Sequence, residues 1–212
     1  WHAMDWDTAA EMLTPSSPAV TTWTLLGTAD AGTNAPHVKL WRGEVTTGGA
    51  NNVTFNGENG DSQTGIIAIV ANDDGADGAV ATNTGSGTNH VANAVTPGTD
   101  DALLLAYSCC AANSGYTTPG TMVEEADTGV FALLESVLAS QALTAAGSTG
   151  TRTFTGNDAT FASISIALKG AVQEPVLEQY WEASAWNTNT TPKTIANVNV
   201  LAGEILLVAA IS

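Results

Sequence analysis

The chain has few positive charges, and this scarcity excludes several classes of partner. Its 212 residues include 5 Lys and Arg against 21 Asp and Glu, which gives a formal net charge of −16. Nucleic-acid binding requires clustered cations that neutralise phosphates, so we exclude nucleic acid as a partner. The same shortage disfavours attraction to anionic membrane surfaces.

Long apolar runs, catalytic motifs and spaced cysteines are also missing. No run reaches 18 apolar residues, so the sequence predicts no membrane span. The HExxH, CxxC, P-loop and GxSxG patterns are absent, and we predict that the protein is not an enzyme. The two cysteines, Cys109 and Cys110, are adjacent. Neighbouring side chains on a strand point to opposite faces, so a disulfide between them is not expected.

Hydrophobic residues make up 44% of the chain and occur in short runs separated by turn-forming residues. Val, Ile, Thr and aromatic residues in the runs, with Gly, Asn, Asp and Pro between them, are typical of strands and turns. Many short strands at regular spacing predict an all-β, two-sheet sandwich or jelly roll. The predicted strands are 19–29, 38–46, 52–55, 65–71, 90–95, 102–109, 121–126, 130–139, 151–155 and 160–169. The segment 130–139 also fits helical spacing, but we favour a strand because its counterpart in a repeat is one.

An internal half-repeat organises these strands. The segment 53–70 matches 153–168, and the segment 24–32 matches 121–129. The second copy opens with residues 90–109, whereas no such opening precedes the first copy. The matching opening, residues 194–212, stands at the other end of the sequence.

This rotated order predicts three parts: a body (1–170) that lacks its first strands, a linker (171–175) and a donor-strand extension (176–212). The extension is too apolar to remain free in water, so we expect it to be buried in a groove. The groove belongs to the chain's own body or to the next copy, or the chain is one slice of a tandem array. Insertion into the next copy repeats without closing and generates a filament. The residues expected to be inserted are Ile195, Val198, Val200, Ile205, Leu206, Leu207, Val208 and Ile211, with Trp181 and Trp186 anchoring the joint.

Several segments resemble a known type of module. Pro18 with Trp23-Thr-Leu-Leu-Gly, the Val53-Thr-Phe-Asn-Gly hairpin and Gly65-Ile-Ile-Ala-Ile-Val with its Asp/Gly loop resemble repetitive β-sandwich domains. Such domains occur in phage virion proteins and large secreted bacterial proteins, although their order is rotated here. This resemblance implies an adhesive or structural module without an active site. The protruding terminal strands resemble, in architecture alone, the donor-strand-complemented subunits of extracellular filaments.

Together these observations predict a structural subunit of an extracellular or cell-surface filament, polymerising head to tail with identical subunits. The alternatives are a phage virion fibre or decoration module, which would be located in a virion, and a carbohydrate-binding β-sandwich module.

Two further patterns suggest ligands or modification. Asp73, Asp74 and Asp77 lie in a dense acidic turn, where oxygen ligands at alternating positions suit Ca²⁺. A solvated turn is the alternative, and no other cofactor is predicted. The triplets that begin at Asn52 and Asn189 are N-glycosylation sequons.

Overall fold

A computed structural model describes residues 14–33, 35–55, 63–112, 115–130, 134–170, 176–186 and 193–211. This part of the chain is all-β, and two antiparallel sheets pack as a sandwich, which confirms the predicted fold class. The described residues include no helix that could span a membrane. The predicted linker (171–175), residues 1–13 of the predicted body and the sequon at Asn189 lie outside the described residues.

The strands that these residues form are antiparallel throughout. They are β1 (Val20–Asp30), β2 (His37–Val45), β3 (Gly49–Phe55), β4 (Gln63–Ala71), β5 (Asp73–Ala76), β6 (Ala81–Ala92), β7 (Leu103–Cys110), β8 (Val123–Val130), β9 (Leu134–Ala142), β10 (Arg152–Gly170), β11 (Val176–Trp186), β12 (Lys193–Val200) and β13 (Ile205–Ile211).

Three sheets arise from these strands. Sheet A has the order β1-β2-β13-β4-β11, and sheet B has the order β5-β10-β7-β9-β8, with β6 also paired to the long strand β10. The third sheet is the pair β12-β3. Buried residues of β3 and β12 form one hydrophobic cluster with residues on the face of sheet A that points away from sheet B. The pair therefore covers this outer face of sheet A.

The structure corrects the sequence predictions at several strands. The segment 130–139 is strand β9 from Leu134 onward, so its helical alternative is wrong. Two predicted strands, 151–155 and 160–169, are one strand, β10. The predicted strand 90–95 is the end of β6, which begins nine residues earlier and stops at Ala92. Strand β5 runs through the predicted acidic turn, and β11 was not predicted as a strand.

Strand pairing follows the internal repeat closely. Strand β13 lies between β2 and β4, as β7 lies between β9 and β10. Strand β1 pairs with β2 as β8 pairs with β9, and β11 pairs with β4 as β6 pairs with β10. Sheet B is therefore built from one contiguous segment, 81–170, apart from the short β5. Sheet A combines residues 20–71 with residues 176–211.

The two repeats pack through equivalent faces. Buried side chains of both sheets form one cluster between them, to which β2, β4 and β13 contribute from sheet A and β7, β9 and β10 from sheet B. Strand β1 contacts β6, and its counterpart β8 contacts β11, the counterpart of β6. This reciprocal arrangement resembles the isologous contact of a two-fold dimer within one chain.

Candidate functional site

The groove between β2 and β4 is the candidate functional site, and β13 fills it. Residues 205–211 have register partners in β2, and residues 205–210 have register partners in β4. A strand with neighbours on both sides satisfies N–H and C=O groups along the facing edges of those neighbours. The C-terminal segment therefore supplies the central strand of a sheet whose other inner strands lie more than 130 residues earlier in the sequence.

Side chains of β13 are buried on both faces of sheet A. Ile205 and Leu207, 2% and 3% exposed, join the core between the two sheets. Leu206, 1% exposed, joins the outer core beneath β12 and β3. Burial of a large apolar side chain contributes about 1.5–3 kcal/mol, so these three offer roughly 5–9 kcal/mol of gross stabilisation.

The other predicted donor residues lie in the same extension. Ile195, Val198 and Val200 are buried on β12 against the outer face of sheet A. Four more are placed by their backbones: Val208 and Ile211 in β13, and Trp181 and Trp186 in β11 beside β4. In this single chain, all of these strands pair with the chain's own body. Their insertion into a second copy stays a prediction.

A short turn between β12 and β13 fastens the extension to the end of β2. The N–H of Val45 donates to the carbonyl of Glu204 at 2.9 Å, and the N–H of Gly203 donates to the carbonyl of Val45 at 3.0 Å. The Glu204 carboxylate accepts the N–H of Leu201 at 2.6 Å. Gly203 has φ of +92°, a left-handed conformation that favours glycine. Sequence reasoning missed this role of Glu204, although an acid within a hydrophobic extension is a signal.

The three candidate calcium ligands are engaged by separate partners. Asp73 accepts the Nε–H of Arg42 at 3.0 Å, and Asp74 lies 3.1 Å from the ammonium of Lys169. Asp77 accepts hydrogen bonds from the backbone of Gly98 and from the backbone and hydroxyl of Thr99, at 2.6–3.0 Å. Burial raises the pKa of Asp77, but these hydrogen bonds and the charge of Lys169 bring that pKa below its usual value. The described residues contain no cluster of three or more acidic, His or Cys side chains arranged for a metal.

The ion pair between Arg42 and Asp73 joins the two sheets. Arg42 lies on β2 of sheet A, whereas Asp73 begins β5, which belongs to sheet B. The side chain of Asp73 is fully buried, and that of Arg42 is mostly buried. Because these two residues are 31 positions apart and follow no common motif, the sequence alone gave no signal for this contact.

Two tryptophans of sheet A and the cavity between the sheets do not form a ligand site. Trp41 is 3% exposed in the outer core of sheet A, and Trp23 packs against that core, so neither contributes to an exposed aromatic row. A cavity between the sheets, lined by Ile66, Leu105 and other apolar residues, measures about 30 Å³. This volume suits one water molecule at most, and its lining offers little to bond one.

The adjacent cysteines point to opposite faces of β7, as predicted. Cys109 joins the core between the sheets, and Cys110 joins a separate cluster on the outer face of sheet B. Both thiols are free and buried. Burial raises the pKa of both, that of Cys110 to about 11, so neither is a ready nucleophile.

A buried polar cluster beside Cys110 orders the loop before β8. The His90 ring nitrogen Nε2 lies 2.9 Å and 3.0 Å from the carbonyls of Gly87 and Asn157, so this nitrogen donates. Nδ1 then accepts the hydroxyl of Tyr116 at 2.8 Å. Both nitrogens are thus engaged, and burial lowers the pKa of this histidine. The arrangement is that of a structural histidine rather than a catalytic base.

Two carboxyl groups hold the same loop. Glu135 accepts the N–H of Gly115 at 2.5 Å, and Asp127 accepts the N–H of Tyr116 at 3.2 Å. Burial raises the pKa of Asp127, and the negative charges of Glu135 and Glu124 raise it further. The hydrogen bond from Tyr116 lowers this pKa, but the net result is a value of about 6. The folded state therefore binds a proton at Asp127 more tightly than the unfolded chain does.

We expect Asp127→Asn to remove part of the pH dependence of stability. The raised pKa means that ionisation of Asp127 costs stability as the pH rises from about 4 to 6, by about 1 kcal/mol after allowance for solvent screening of this half-buried group. His90, with its lowered pKa, has the opposite slope, because the unfolded chain protonates first. The difference between the unfolding profiles of wild type and variant, measured by urea titration at pH 4 to 7, therefore isolates Asp127. The variant Asp101→Asn, at an exposed position, controls for the loss of one negative charge. Parallel curves of unfolding free energy against pH for the wild type and Asp127→Asn would contradict the prediction.

Comparisons with known proteins add no family. No family model matches the chain, and no curated protein matches it. Among solved structures, the N-terminal cellulose-binding domain of β-1,4-glucanase C from Cellulomonas fimi matches at 13% identity, covering 74% of this chain and 95% of that one, with a TM-score of 0.14. A heparinase III gene product matches at 8% identity, covering 91% of this chain and 27% of that one, with a TM-score of 0.13. Scores this low support no argument about fold or function.

Proposed function

We propose that this chain is a structural subunit of an extracellular filament, and that copies join head to tail by donor-strand complementation. The observation that carries the proposal is the place of β13, a central strand that the extension supplies between β2 and β4 of the body. Its burial on both faces and its pairing along both sides give a second copy the same contacts that the chain makes with itself. Exchange of such an element between copies is the principle of domain swapping.

The repeat structure limits each chain to one donor and one acceptor. In sheet B the equivalent central strand, β7, is contiguous with its neighbours in residues 81–170. Of the two main sheets that the described residues form, sheet A receives its central strand from a distant segment and sheet B does not. One donor and one acceptor per chain make an unbranched assembly, and a heterologous contact of this kind gives a filament when its rotation does not close into a ring.

The location outside the cell is supported by the resemblance in architecture to self-complementing filament subunits. An exposed Asn52 on β3 leaves one sequon at the surface, which is compatible with export. The excess of acidic residues keeps copies apart unless a specific contact joins them, so assembly is expected to depend on the strand rather than on general association.

The test measures assembly of the refolded chain, and then its inhibition by the extension added as a separate peptide. The full chain is unfolded, refolded at rising concentration, and viewed by electron microscopy beside SDS gels run with and without boiling. We expect filaments and an SDS-resistant ladder that boiling converts to a 21.5 kDa band. An excess of the peptide 176–212 during refolding should occupy the acceptor grooves and shorten the filaments.

The matched control is the same peptide carrying Leu207→Asp, which should not cap the filaments. Filaments formed by residues 1–170 alone would contradict the proposal, because that fragment has no donor. A monomer at every concentration, even after long incubation in sub-denaturing urea, would contradict it as well, and would favour the virion module or the carbohydrate-binding module.

A further inference from the structure

The groove that a second copy would fill is already occupied in the single chain. Strand β13 pairs with β2 and β4 of its own body, and the turn at Gly203 and Glu204 is bonded to Val45. Strand β12 pairs with β3 and covers the outer core, while β11 closes the far edge of sheet A beside β4. Among the described residues, β13 is therefore paired with β2 along its whole length and with β4 from residue 205 to residue 210.

From this geometry we infer that the closed chain is a self-capped form, in which its own C-terminal segment blocks assembly until it is released. This inference rests on the proposed function and names the regulation of the same site. The partner is a second copy of the chain, and the inhibitor is the segment 176–211. Assembly then requires one slow event within each molecule before two molecules can join.

The connection between the repeats makes self-capping the nearest outcome for a newly folded chain. Gly170, the last residue of β10, has Asp73 as its register partner, and Val176, the first residue of β11, has Ala71. The two partners are two positions apart, so the chain leaves one sheet and enters the other at neighbouring points. A tethered segment meets its own groove at an effective concentration that reaches the millimolar range for a short linker, well above that of a separate copy in dilute solution.

Release of the segment should be a local opening rather than complete unfolding. Sheet B is built almost entirely from one continuous segment, residues 81–170, which includes its central strand β7. We therefore expect it to stay folded when residues 176–211 leave. Proteins open in cooperative units of different stability, and amide hydrogen exchange measures the opening of each unit. Because β7 and β13 occupy equivalent positions in the two sheets, β7 is the internal reference for β13.

A reversible covalent lock tests the inference on the full chain. Ala50 on β3 and Asn199 on β12 are register partners, and Ala50 is exposed, so the double variant Ala50→Cys/Asn199→Cys places two cysteines opposite each other. The tether also holds β13, which begins five residues after β12 ends. Cys109 and Cys110 are buried and should not compete for the new disulfide. The single variants control for each substitution.

We expect the reduced double variant and the wild type to assemble with a rate constant that is the same over a tenfold range of protein concentration and rises in sub-denaturing urea. Oxidation should abolish assembly, and reduction should restore it. In the wild type, amides of β13 should exchange faster than those of β7, and this second measurement remains decisive if the double variant does not fold.

Three results would overturn the inference in different ways. An observed rate constant that rises in proportion to protein concentration, does not change with urea and is lost on oxidation would show strand donation without self-capping. Equal protection of the β13 and β7 amides against hydrogen exchange would show that the segment leaves only by complete unfolding. That result would overturn release by local opening. Unchanged assembly of the oxidised variant would overturn strand donation itself, and the proposed function with it.

Discussion

Leu207→Asp should destabilise the closed chain by at least about 4 kcal/mol, because it removes a buried leucine and places a carboxyl group in the core between the sheets. Leu207 is 3% exposed and packs in the cluster shared by both sheets. Its register partners are Arg42 of β2, whose guanidinium already pairs with Asp73, and Ala68 of β4, so residue 207 does not lie at a sheet edge. For a chain of this size, the loss corresponds to a fall of about 10 °C or more in Tm.

Leu201→Asp is the matched control for this prediction. Leu201 belongs to the same extension but is 65% exposed in the turn before β13, so the same change there should stay within about 0.5 kcal/mol. Thermal unfolding followed by circular dichroism compares the two variants, and size-exclusion chromatography reports assembly. Equal stability of the two variants would mean that residue 207 does not lie in a packed core.

Arg42→Met should cost about 3–5 kcal/mol, because it leaves a buried carboxylate without its cation. The side chain of Asp73 is fully buried, and after the substitution it would keep the hydrogen bond from the N–H of Gly75 at 2.9 Å. The pair also joins β2 of sheet A to β5 of sheet B, so its loss weakens the contact between the sheets. Urea titration measures the change in the free energy of unfolding.

The neighbouring ion pair provides the control. Lys169 and Asp74 are 37% and 57% exposed, and Lys169→Met should cost about 0–1 kcal/mol because solvent screens this pair. The double variant Arg42→Met/Asp73→Asn should recover part of the loss, since it removes the unpaired buried charge. A loss for Arg42→Met no larger than that for Lys169→Met would contradict the proposed role of the buried pair.

The sequence predicted the inner strands well, because their own composition determines them. Apolar or alternating runs around Ile67, Leu105 and Leu206 occupy the centres of the two sheets. Comparison of the repeats also predicted that the extension is the missing opening of the first copy, and β13 takes the position equivalent to β7. In these strands the hydrophobic pattern of the sequence matches the burial seen in the structure, so the pattern alone is enough to predict them.

The edge strands and the polar contacts were not predictable in the same way. Strand β6 contains Thr82-Asn83-Thr84-Gly85-Ser86-Gly87, which suggests a turn rather than a strand. It becomes a strand because it pairs with β10, and Gly85 permits the close approach of the Phe161 ring, where a Cβ atom would lie 2.8 Å from the nearest ring carbon. In the acidic turn, adjacent carboxylates suggested shared ligation, and in the fold each carboxylate contacts a different partner.

The split origin of sheet A also has a consequence for the order in which the chain folds. During synthesis, residues 20–71 emerge first, but their central strand is made only after sheet B is complete at residue 170. Domains fold as units from the N-terminus during synthesis, and unpaired strand edges expose a chain to aggregation. Here the earlier half must wait, with β2 and β4 separated, while the later half folds around its own β7. The vulnerable interval ends when residues 205–211 arrive, and a tail from a neighbouring copy that arrives sooner would end it equally well.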